Sequence, residues 1–105
     1  MTFADNLATL PTIDGIAAVE LLDADGHSVA RLENRPGTAG SVRLYHALAQ
    51  RFGQIDQAAA SEGLALYAEH TADARAFPGK HPNIDRLLAI AEQGASTLSL
   101  RVITA

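Results

Sequence analysis

The sequence predicts an α+β fold: a three-stranded antiparallel sheet with helices packed on one face, in the order α-β-β-α-α-α-β. Three observations carry this expectation. Two apolar segments with partial alternation flank an aspartate- and glycine-rich turn at residues 23–26, a hairpin signal. Stretches between residues 41 and 93 repeat their apolar residues at helical spacing. A last alternating segment, Leu98-Leu100-Val102, supplies the third strand that an otherwise marginal hairpin needs.

The elements follow in order. Thr2 and Asp5 form a capping-box pattern, and Phe3, Leu7 and Leu10 repeat at helical spacing, which predicts a helix over residues 3–10 stopped by Pro11. Ile16 to Leu22 and His27 to Glu33 read as the hairpin strands, with Gly26 free to take the positive φ such turns need. Residues 34–40 form a loop. Ser41 is then the expected cap of a helix ending at Phe52, with Gly53 as its stop. Asp56 caps the next helix, which reads through Leu64 and Tyr67 and extends as far as Ala76. Gly63 inside it marks either a bend or a close approach, because glycine there costs about 1 kcal/mol against alanine. Asn83 is the expected cap of a helix carrying Ile84, Leu87 and Leu88, stopped by Gly94.

Length and composition narrow the function. A chain of 105 residues fits one domain, residues 1–105, with a modest core. Absence of cysteine excludes disulfides, thiolate zinc sites and thiol nucleophiles. A net charge of −4, with scattered arginines, argues against nucleic acid as a partner. The N-terminus lacks a signal-peptide pattern, and no apolar run approaches the roughly 20 residues that span a bilayer. A soluble, cytoplasmic protein without a membrane partner is expected.

Three polar motifs remain. Asp23-Ala24-Asp25-Gly26 resembles part of a calcium loop. The register would put Leu21 and Leu32 at ligand positions, so turn chemistry is the better reading and no metal is assigned. The loop Pro36-Gly37-Thr38-Ala39-Gly40-Ser41 enters a helix between Arg35 and Arg43, with His46 a turn further on. Its backbone N–H groups suit a phosphate or carboxylate, although neither a Walker nor a dinucleotide pattern is present. The bland alternative is an ordinary loop and cap.

The third motif joins His70 and Asp73 to Lys80, His81, Asn83 and Asp85. These residues could form an acid–base or metal-binding set if the two helices pack together, against the plainer reading of helix ends satisfying their free backbone groups. The metalloprotease spacing is missing. No serine has a nucleophile context, and nothing calls for a cofactor.

Several stretches carry a wider resemblance: Asp5 to Pro11, Leu22 to Gly26, Tyr45 to Ala49, Ala68 to Thr71 and, above all, Pro78 to Leu88. On these the chain resembles a family of bacterial proteins of about this length, catalogued as a domain of unknown function. The resemblance implies a compact single domain and supplies no activity, cofactor or catalytic residue. The leading functional expectation is a domain acting by protein interaction or self-association without catalysis. Small-molecule or anion binding, or less readily acid–base or metal-dependent catalysis, is the alternative. Its site residues would be Arg35, Gly40, Ser41, Arg43 and His46, or the cluster around His70 and His81.

Overall fold

Residues 1–105 are described by a computed structural model. Thr2 and Asp5 exchange the two reciprocal bonds of a capping box, which starts α1 at Phe3–Leu7. The helix is shorter than its apolar spacing suggests. Leu10 N–H reaches back to Leu7 O in a tighter turn, and the carbonyls of Leu10 and Pro11 accept from the Arg43 guanidinium.

Strands β1 (Ile16–Leu22) and β2 (Ser28–Glu33) form the expected antiparallel hairpin. Gly26 takes φ 83° in the turn, and Asp23 Oδ1 accepts from the N–H groups of Asp25 and His27. Strand β3 (Ser99–Thr104) pairs antiparallel with the other side of β1, giving the sheet order β2-β1-β3. A short bridge from Ile55 to Leu98 covers the start of β3.

Helix α2 (Ala39–Phe52) begins two residues before the expected cap, so Ser41 lies inside its first turn. Its N-cap is Thr38, whose side chain makes no capping bond, and Gly53 ends it at φ 82° as expected. Asp56 accepts from Ala59 N–H at 2.9 Å and starts α3 (Gln57–Tyr67).

The predicted continuation to Ala76 is broken. Ala68 adopts φ 54° and ψ −116°, and a separate α4 (Glu69–Ala76) follows. Thr71 Oγ1 donates to Leu64 O at 2.6 Å, satisfying a carbonyl that the break frees. Helix α5 (Pro82–Glu92) starts with proline in its first turn, so His81 and not Asn83 is the N-cap residue.

Helix α2 lies against all three strands, while α3 packs on both α2 and α5. Val19, Leu21 and Leu32 of the sheet meet Val42, Leu44 and Leu48 of α2 in a core of 18 buried residues. The sheet's other face carries the ion pairs Glu20–Arg101 and Arg31–Glu33. Gly63 resolves as a close approach: a Cβ there would sit 2.7 Å from Leu87 Cδ1 and 2.9 Å from Leu48 Cδ1. That contact draws α2, α3 and α5 together.

Candidate functional site

The cleft is built from the starts of two helices and the broken end of a third. Ser41 comes from the first turn of α2, His70 from α4, and Lys80 and His81 from the connector before α5. They share a cavity of about 320 Å³ with Phe3 and Tyr67. Gly37 and the first residues of α5, including Asn83, complete its rim. Of the expected α2 cluster only Ser41 reaches this cavity, where it joins His70, Lys80, His81 and Asn83 of the α4–α5 cluster.

Aromatic rings make one wall. Phe3 stacks on Tyr67 with centroids 5.0 Å apart, and His70 meets Phe3 edge-on at 5.3 Å. The buried Tyr67 hydroxyl donates to Ser41 Oγ at 2.7 Å, which leaves the Ser41 O–H as a donor for another partner. Burial pushes the Tyr67 phenol well above its usual range, so it stays a neutral donor.

The opposite wall is charged. Asp73 Oδ2 accepts from Lys80 Nζ at 2.9 Å and from His81 Nε2 at 2.6 Å. Lys80, and then His81, hold the Asp73 carboxyl below the ordinary carboxylate range. His81 is thereby oriented, and its ring lies 5.9 Å from that of His70, centroid to centroid.

The first turn of α5 is fixed from beneath. The Tyr45 hydroxyl donates to the carbonyl of Asn83 and accepts from Arg86 Nη1 at 3.1 Å. The same Arg86 nitrogen donates to Asn83 Oδ1 at 3.0 Å. Burial raises the Tyr45 phenol to about 12, so this network holds no charge on the tyrosine near neutrality.

Other sequence candidates lie elsewhere. Arg43 is spent on the Leu10 and Pro11 carbonyls, at 2.6 and 3.1 Å. Gly40 faces Phe3 and Leu7, where a Cβ would be within 3.3 Å of both, so its small size serves helix packing. Arg35 is exposed and reaches Glu33 at 3.9 Å. His46 Nδ1 is buried without a partner and does not line the cavity. Asp85 accepts from Gly79 N–H at 2.9 Å and belongs to the neighbouring surface.

The acid–base and metal readings meet a mixed geometry. Ser41 is bonded to a tyrosine and not to a histidine, so no nucleophile–base pair forms. Three candidate ligand atoms within 4.8 Å occur only at Asp23, Asp25 and His27, in the solvent-facing hairpin turn that Asp23 organises. Phe3 and Tyr67 are site residues that sequence reasoning misses, because their spacing reads only as apolar helix surface.

A family model described as an uncharacterized protein conserved in bacteria (DUF2322) matches residues 3–102. The chain belongs to this family. No curated protein and no solved structure matches it. Membership assigns no reaction to the cleft, whose chemistry therefore rests on its own side chains. No helix is long and apolar enough to cross a membrane.

Proposed function

We propose that this is a cytoplasmic protein that binds a small anion, of the phosphate or carboxylate class, in the cleft between α2 and α5. One observation carries the reading. Two helices of 14 and 11 residues both begin at this cavity, neither with a side-chain cap, and Lys80, His81 and the Ser41 hydroxyl face the same space. In these first turns the N–H groups of Gly40, Ser41 and Asn83 carry no backbone partner, and they and the positive dipole end favour an anion. A lysine, histidines and a hydroxyl are the side-chain donors such a ligand takes.

Titration of inorganic phosphate into ¹⁵N-labelled protein tests this. Saturable amide shifts at Gly37, Ser41, His81 and Asn83, lost in Lys80→Met, are expected. Unmoved signals at those four positions, with or without the substitution, would refute the site.

Protein interaction or self-association is the second reading, favoured by one feature. Strand β2 is a free sheet edge, and Val29 on it is 52% exposed. Light scattering at high concentration, with Val29→Lys as control, separates the two readings. A concentration-independent monomer of both proteins removes self-pairing.

A further inference from the structure

Lys80 and His81, on the charged wall of the cleft, converge on a single oxygen. Lys80 and His81 line the cavity, yet both polar ends bond to Oδ2 of Asp73, which does not line it. The Asp73 carboxylate thus takes the donors that a bound anion would need. Asp73 is carried by α4, one turn beyond His70, so it is held in place by the fold and does not diffuse away.

We infer that Asp73 is an internal competitor that restricts the cleft to small dianions of the phosphate class and turns away monoanionic carboxylates. This rests on the reading of the cleft as an anion site. A free monocarboxylate offers Lys80 and His81 only what Asp73 already gives them. It must also displace a tethered group whose effective concentration is high. A dianion brings a second charge and further acceptor oxygens. It can draw Lys80 and His81 forward while also accepting from Ser41 O–H and from the N–H groups of Ser41 and Asn83, which carry no backbone partner. Partly exposed ion pairs of this kind shift equilibria only a few-fold each, so the competition is reversible and tunes selectivity without closing the site.

The experiment compares phosphate and acetate on wild type and Asp73→Asn at pH 7 and constant ionic strength, read by amide and histidine ring NMR. Wild type should bind phosphate and show no saturable acetate response. Phosphate should also move the His81 ring signals as its bond to Asp73 opens. Asp73→Asn should bind phosphate about three- to tenfold more tightly and gain measurable acetate binding. Equal responses of wild type to the two anions would overturn the inference and leave the site standing. Identical behaviour of the variant and wild type would do the same. Because the His81 ring signals are read on wild type, phosphate binding that leaves them unmoved overturns the inference even if the variant fails to fold. No response to either anion in either protein would overturn the inference and the site together.

Discussion

The imidazoles of His70 and His81 lie with ring centroids 5.9 Å apart at an angle of 48°, although one belongs to α4 and the other precedes α5. The backbone break at Ala68 lies between Tyr67, at the end of α3, and the turn that carries His70. A continuous helix through residue 68 would place His70 elsewhere relative to Tyr67. The aromatic wall of the cleft, in which Phe3 touches both Tyr67 and His70, therefore depends on one unusual residue.

Ala68 occupies a conformation, φ 54° and ψ −116°, that suits glycine. Such strain costs on the order of 1–3 kcal/mol in a non-glycine residue. Ala68→Gly is expected to stabilise the fold by about 1 kcal/mol, after glycine's greater unfolded-state entropy is subtracted. Urea denaturation should show a higher midpoint at unchanged slope. A lower midpoint would mean that the break is not strained.

Gly63 lies where α3 crosses both α2 and α5, against the buried side chains of Leu48 and Leu87. Gly63→Ala should destabilise the protein by about 1 kcal/mol. Overpacking costs roughly 1–3 kcal/mol, partly offset by alanine's helix propensity of about 1 kcal/mol. A thermal midpoint equal to or above wild type would show that Leu48 and Leu87 can move aside freely.

Tyr45 is fully buried and its hydroxyl joins the Asn83 carbonyl to Arg86. Tyr45→Phe leaves that carbonyl one partner short, at a cost of about 1–3 kcal/mol. Amide exchange should accelerate most at the start of α5. Uniform exchange rates across the helix would show that the network does not fix that turn.

Acid should destabilise the fold through its paired carboxylates. Partners hold the pKa values of Glu20, Glu33, Asp73 and Glu92 below their ordinary range, as capping and backbone bonds do for Asp5 and Glu69. A carboxyl depressed in the folded state contributes stability that is complete above its unfolded pKa of about 4 and is lost as pH falls through the folded value. Calorimetry should therefore give a flat melting temperature from pH 7 to about pH 5 and a fall below pH 4. Asp73→Asn should make that fall shallower. A melting temperature that rises on acidification would contradict these pairings.

Local patterns in the sequence determine most of the elements by themselves. Thr2, Asp56, Gly26 and Gly53 act where their chemistry places them, because caps and turns are satisfied within a few residues. The period-two and period-3.6 patterns of Val19, Leu21, Leu44 and Leu48 likewise encode which face is buried. The break at Ala68 carries no such signature, since alanine favours a continuous helix and only tertiary packing overrides it. Ser41 and His81 are each legible as polar residues near helix starts, but their meeting is not. That meeting depends on how α2, α3 and α5 cross, and the Gly63 contact with Leu48 and Leu87 is a long-range packing event. For the same reason Arg43 and Gly40 read as anion-site residues in the sequence. The docking of the N-terminal segment gives them instead to the Leu10 carbonyl and to Phe3.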